Sequence, residues 1–296
     1  MSSQPVVAAV DGSQDSLRAL EWALDAARRR EALLRIVHVR QYPHWTKSDV
    51  LAVGTPEQDG DPVLGPARSR LATESVLPAV EYVVLEGAPG VLLPEVGETA
   101  GLLVLGSRGR GGFASLLLGS NSLAAARDAE CPVVVVPRPA QDDRAAGAGP
   151  LVVGVNADSP DDATLAFAFA EAALRGARLR VVAAYPWPLH TWMLPGEMPP
   201  PDIDQDAVEH ETRILAEGFL AAHRERHAGV AAEVEVLPGD AAGHLVEASR
   251  EAELVVVGRH RRRLLAPARM MGSVTQAVLL HAECPVVVVP PSPVEG

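Results

Sequence analysis

One run of nine residues, Ala-Glu-Cys-Pro-Val-Val-Val-Val-Pro, stands at 129–137 and returns unchanged at 282–290. Its surroundings repeat as well. Leu-Leu-Val-Leu-Gly at 102–106 answers Leu-Val-Val-Val-Gly at 254–258, and Val-Val-Ala-Ala-Val-Asp at 6–11 answers Leu-Val-Val-Gly-Val-Asn at 151–156. A 296-residue chain written this way must fold as two copies of one unit. The polar, Gly/Pro/Ala-rich stretch 139–150 reads as the linker, giving domains at 1–140 and 149–296.

Within each copy, short β-branched runs alternate with helical spacing. In the first, strands are expected at 6–10, 33–39, 80–85, 102–105 and 133–136. A first helix is expected from Leu17, Leu20, Ala23, Leu24 and Ala27 at helical spacing with Ser13 as N-cap, and others near 66–77, 89–99 and 120–127. Continuous apolar strands imply a parallel sheet covered on both faces. The expected fold is therefore α/β, two tandem doubly wound, five-stranded parallel-sheet domains of Rossmann-like type. From Tyr42 to Glu81 the first copy is shorter than the second from Tyr185 to Glu233, which predicts the loss of about two turns from its second helix. The two Cys-Pro-Val-Val-Val-Val strands end each sheet, and such apolar edges are expected to pair antiparallel within the chain as a pseudo-dimer. That pairing sets Cys131 and Cys284 at opposite ends of the ladder, too far apart for a disulfide.

Composition narrows the function classes. There are 26 basic residues against 38 acidic, a net charge of −12, which argues against nucleic acid as a partner. No apolar run is long enough for a membrane span, and the Met-Ser-Ser-Gln-Pro start has neither a basic nor an apolar segment, so a reduced, cytoplasmic protein is expected. Lys47, the only lysine, has no glycine beside it, which excludes a Walker A phosphate loop. Two cysteines without a CxxC or His/Cys cluster offer no metal site.

The loop after the fourth strand carries five glycines in the fourteen residues from Gly106 to Gly119. Such a loop lets backbone amides approach a ligand, and Gly119-Ser120-Asn121 opens a helix whose free N–H groups face the same spot. This is a lysine-free anion site suited to phosphates. Gly109-Arg110-Gly111-Gly112-Phe113-Ala114 also fits the dinucleotide fingerprint, but it follows the fourth strand rather than the first and lacks the acid some twenty residues on.

Gly106, Gly109, Gly119 and Ser120 match G-x2-G-x9-G-[S/T], and with Asp11 after the first strand the sequence resembles the universal stress protein family, over its whole length and like its tandem actinobacterial members. The resemblance implies an adenine nucleotide alpha hydrolase-like fold that binds ATP, with any magnesium held through the phosphates. It places phosphates on Gly106, Ser107, Arg108, Gly109, Arg110, Gly111 and Gly112 and on Ser120 and Asn121. Adenine and ribose would lie near Ala9, Asp11 and Gly12, with the backbone of Val39 on the adenine edge. It also implies a regulatory role and possible dimerisation of the tandem unit. Two alternatives are a slow ATPase or adenylating enzyme, suggested by the likeness of Asp11-Gly-Ser-Gln-Asp-Ser16 to the ATP-pyrophosphatase loop, and a stress scaffold without nucleotide. No general base or Walker-type acid is evident, so no catalytic residue is assigned.

The second copy departs from the signature. Gly258 and Gly272-Ser273 remain, but Arg261 takes the place of the middle glycine, Asn156 that of the acid and Ala157 that of Gly12. A chiefly structural second domain is expected. His38 reads as a core histidine, Cys131 and Cys284 as small hydrophobes, and the aromatics after the second strand as an adenine wall or packing under a loop. The basic run at 259–263 reads as a solvated loop, or else as a source of phosphate affinity.

Overall fold

The computed structural model describes residues 4–41, 60–109, 118–138, 149–185, 204–259 and 271–292. In chain order the first half runs β1 (Val6–Ala9), α1 (Gln14–Arg29), β2 (Leu34–Arg40), α2 (Leu64–Leu71), β3 (Val80–Glu86), α3 (Pro89–Val96), β4 (Leu102–Gly106), α4 (Ser120–Asp128) and β5 (Val133–Val136). The second runs β6 (Leu151–Val155), α5 (Asp162–Arg175), β7 (Leu179–Tyr185), α6 (Gln205–Arg226), β8 (Ala232–Pro238), α7 (Ala241–Ala248), β9 (Leu254–Gly258), α8 (Ser273–His281) and β10 (Val286–Val289). The strands form one ten-stranded sheet in the order β3-β2-β1-β4-β5-β10-β9-β6-β7-β8. All neighbours are parallel except β5 and β10, which pair antiparallel with Val133, Val134 and Val135 opposite Val288, Val287 and Val286. The valine strands thus find each other, as their apolar edges require. Among the described residues no helix is long and apolar enough to cross a membrane.

That seam merges two cores into one on each face of the sheet. Leu20 and Leu64 share a core with Phe169 and Leu220 on the face of α1, α2, α5 and α6, joined through Val134 and Val287. Leu93 and Ala125 share the other with Leu245 and Leu279, joined through Val135 and Val286. The register sets Cys131 and Cys284 six positions apart along the ladder, about 20 Å at the usual rise. Both are buried and free of any disulfide, and burial pushes the Cys131 thiol up to about 12, so it is a packing group and not a nucleophile.

Across the seam α1 and α5 exchange charge. Arg30 of the first half pairs with Glu171 of the second, whose side chain is 1% exposed, and Glu171 also accepts from Arg175 Nε at 2.6 Å. Arg175, 3% exposed, pairs in addition with Glu253 and lies 5.0 Å over the Trp22 ring. Glu171 is the acid that two arginines share. Glu171→Ala would leave a buried guanidinium short of its main partner, at a cost of about 3 kcal/mol, read as a lower urea midpoint.

The second helices differ more than the length comparison predicts. Helix α2 has eight residues and α6 twenty-two, a loss nearer four turns than two. The register does not account for the difference: Arg40, not Tyr42, ends β2 where Tyr185 ends β7, and from there to the matching Glu81 and Glu233 the first half is shorter by seven residues, about two turns, so the further loss is of helix and not of chain. The helix expected up to residue 77 stops at Leu71, and Val76 and Leu77 are exposed beyond it. The start of α2 is held by Asp61, a buried carboxylate that accepts from the N–H groups of Val63 and Leu64, from Arg40 Nε at 2.7 Å and from His38 Nδ1 at 3.0 Å. His38 is therefore a satisfied histidine, with an acid as its partner.

Burial alone would raise the Asp61 carboxyl, but hydrogen bonds from Leu64 N–H, Arg40, His38 and Val63 N–H bring it from 3.8 down to about 2. A lowered value means that ionised Asp61 stabilises the fold above pH 3.8 and that this contribution fades as pH falls through 3.8 towards 2. Asp61→Asn is expected to lower unfolding free energy by roughly 2 kcal/mol at neutral pH. Its stability curve, from denaturant titrations across acid pH, should then converge on that of the unaltered chain near pH 2.

Candidate functional site

Between β1 and β4 the chain leaves in opposite directions, to β2 on one side and β5 on the other. A crevice therefore opens at the carboxyl ends of these two strands, where ligands bind in open α/β sheets. On the β1 side, Gly12 turns the backbone at φ +79, a conformation that suits glycine. Asp11 Oδ1 then accepts from Ser13 N–H at 3.0 Å and from Ser13 Oγ at 2.6 Å, while Ser13 Oγ caps α1 by accepting from Ser16 N–H. On the β4 side, Ser107 donates its N–H to Val136 at 2.8 Å, and its carbonyl accepts from Gly119 N–H at 2.7 Å. Ser122 Oγ closes the unit by donating to the Gly106 carbonyl at 2.7 Å. The end of β4 and the start of α4 are thus tied together.

The two sides meet at Gly109, where a Cβ would stand 2.5 Å from Asp11 Oδ2. Glycine at 109 is needed because the aspartate is there, and Gly109 is not among the positions of positive φ. Gly106 answers a different demand. Its Cβ would lie 2.7 Å from the Asp15 carbonyl carbon and oxygen, so this glycine is required for β4 to pack on the start of α1. Gly119 is the residue before the first turn of α4, with its Cβ position 3.4 Å from the Ser107 carbonyl.

The remaining expected residues fall around the same crevice. Ala9 ends β1 and is buried. Val39 stands one residue before the end of β2 and past the last β1 register pair, Ala9 with Val37, so its backbone extends beyond β1 at the crevice. Ser120 is exposed at the first turn of α4, and Arg108 follows Ser107 on the loop. Asn121 leans towards α3, where its Oδ1 lies 3.6 Å from the position of a Gly90 Cβ. Arg110, Gly111, Gly112 and Tyr42 to Trp45 lie outside the described residues. The assembled groups offer free helix N-terminal amides for an anion and a carboxylate for hydroxyl donors. Among the described residues no cluster of three or more His, Cys, Asp or Glu is placed for a metal.

The second half keeps the frame with different contents. Thr275 Oγ1 donates to the Gly258 carbonyl at 2.8 Å as Ser122 does to Gly106, and Arg259 N–H donates to Val289 at 2.8 Å as Ser107 N–H does to Val136. Gly258 is again demanded by packing, its Cβ position lying 2.6 Å from Thr164 Oγ1. Asn156 Oδ1 accepts from Asp158 N–H at 3.0 Å, which preserves the turn but not the charge. Ala157 is not among the residues of positive φ, so the backbone path at Gly12 is not copied.

Of the basic run at 259–263 only Arg259 lies among the described residues, and for that one residue the expectation of a solvated side chain or a phosphate ligand is corrected. Arg259 is 7% exposed, and its Nη1 donates to the carbonyls of Arg127 at 2.6 Å and Ala129 at 2.8 Å, in the first half. Tyr185 packs against Ala183, Ala216 and Val236, which makes it a core residue and not an adenine wall. Asp61 was not singled out from sequence. Its polar, Pro- and Gly-containing neighbourhood carries no periodic signal, and only a glycine and a proline flank it.

The model of the universal stress protein family matches residues 3–137 and 148–290, one match for each half. A universal stress protein of Mycobacterium tuberculosis H37Rv is 32% identical over 299 residues, covering 96% of this chain and 96% of that protein. A solved universal stress protein from Archaeoglobus fulgidus aligns over 98% of this chain and 99% of its own with a TM-score of 0.69, and its 18% identity speaks for the fold. A smaller one from the same organism, solved in complex with dAMP, covers 48% of this chain and 97% of its own at 26% identity and a TM-score of 0.35. With both halves matched and a relative alike from end to end, this chain belongs to the universal stress protein family.

Proposed function

We propose that the chain binds ATP in its first half, one molecule per chain, and acts as a nucleotide-dependent regulator in the stress response. The observation that carries this reading is the meeting of Asp11 with Gly109 at the switch point, beside the open N-terminus of α4. A carboxylate there accepts from ribose hydroxyls, and the N–H groups of the Gly109 loop and of the first turn of α4 donate to phosphate oxygens. Any magnesium would reach the site on the phosphates. The backbone of Val39 is the group we assign to the adenine edge.

The two domains divide the work. In the second, the charge of Asp11 is replaced by Asn156, the close approach at Gly109 by the side chain of Arg261, and the turn of Gly12 by Ala157. Arg259, the nearest cation of its loop, is committed elsewhere. The second domain therefore serves as the structural half of the sheet.

Equilibrium titration of nucleotide-free protein tests the reading. One ATP per chain is expected, with Asp11→Ala weakening binding roughly 10- to 150-fold through loss of a charge-assisted hydrogen bond. Gly109→Arg should remove most binding, because a side chain at 109 collides with Asp11, and Asn156→Ala should leave affinity unchanged. A stoichiometry near two, or binding lost only in Asn156→Ala, overturns the assignment. Incubation with ATP is expected to yield little ADP or AMP, and fast release of either would replace the regulator with an enzyme.

A further inference from the structure

We infer that Arg259, a residue of the second domain, is a positioning residue for the phosphate-holding helix of the first; the inference rests on the nucleotide site proposed above. Arg259 occupies the place that Ser107 takes in the first half, since each follows the last glycine of its strand and donates its N–H to the neighbouring valine strand. Its side chain, however, leaves its own half. It crosses to the C-terminal end of α4 and donates to the carbonyls of Arg127 and Ala129.

Arg127 is in the last turn of α4 and Ala129 is its extended C-cap, where carbonyl acceptors have no partner within the helix. A cation is favoured there by the negative end of the helix dipole, and a buried guanidinium in turn requires acceptors. The contact therefore fixes the position of α4 from its C-terminal end. Helix α4 has nine residues, so its two ends are only about 13 Å apart. The other end is Gly119 and Ser120, tied to Ser107 beside Gly109 and Asp11. A helix this short moves as one piece, so the hold on its C-terminal end adds to the ties of Gly119 and Ser122 in fixing the direction of its N-terminal amides.

The corresponding position in the first half is Ser107, which carries no cationic side chain. The loop that would have served the second domain's own ligand instead supports the first domain's site. Removing the guanidinium should then harm recognition of phosphate more than of adenosine, whose contacts lie on β1 and β2.

The test uses the full chain, with Arg259→Met to keep the length of the side chain and Arg259→Lys to keep its charge. ATP and adenosine are titrated against each. Arg259→Met is expected to weaken ATP binding roughly three- to tenfold, with adenosine affinity unchanged and Arg259→Lys recovering part of the loss. If Arg259→Met does not fold, Arg259→Gln takes its place in the same comparison. Equal losses for ATP and adenosine, or no loss for either, overturn the inference alone. An unaltered chain that takes up no ATP overturns the nucleotide reading, and this inference with it.

Discussion

The antiparallel contact of β5 with β10 is the constraint on which the rest of this molecule is arranged. Four consecutive valines make an edge that cannot be left in water, since its N–H and C=O groups would pair with any available strand. Pairing the two edges within one chain removes that hazard. It also determines which surfaces of the halves meet. On one face α1 and α5 come close enough for Arg30 to reach Glu171, and on the other the loop after β9 comes within reach of α4. A pseudo-twofold seam would allow each contact to occur twice, but the side chains do not repeat. By the sheet register Ala26 stands where Glu171 stands in α5, so both arginines converge on a single acid.

This asymmetry is possible because the glycines of the signature serve separate ends. Gly106 and Gly258 are fixed by packing against the start of α1 and α5, and a Cβ at either would strike atoms under 3 Å away. Those two persist whether or not a ligand is bound. Among the described residues Gly109 faces the Asp11 carboxylate, and the half that has Asn156 in place of this aspartate has Arg261 in place of this glycine. The signature is thus a composite of fold requirements and site requirements, and the second half keeps Gly258 and Gly272 while lacking the counterparts of Gly109 and of the acid it faces.

Much of this was legible from the residues. The duplication, the parallel strands, the Ser13 cap and the seam all follow from local pattern, because each depends on neighbours in sequence or on a repeat that sequence displays. What escaped depends on long-range meetings. Arg259 and Ala129 are 130 positions apart, and nothing in an Arg-His-Arg-Arg-Arg run distinguishes a guanidinium buried on a helix end from one in solvent. Asp61 sits among loop-forming residues, and its burial depends on His38 and Arg40 from a strand twenty positions earlier. Helix α2 was overestimated because apolar residues continue to Leu77 after the backbone has left the helix. The expected site was legible as a set of spaced residues, but the reason for Gly109 was not, since only the folded crevice brings Asp11 against it.

The destination of Arg259 bears on whether the second half could recover an anion site through charge alone. Its guanidinium already donates two hydrogen bonds in a place that is 7% exposed. Hydrogen bonds from a charged donor contribute about 1.5–3 kcal/mol each, and withdrawing them would also strand the α4 carbonyls. A phosphate in the second crevice would have to offset that loss before any net gain in affinity appeared. Nor does the second crevice hold a carboxylate at the place of Asp11, because Asn156 stands there with its side-chain oxygen accepting from Asp158. The cation at the first position of the second loop is already hydrogen-bonded to carbonyls of the first domain.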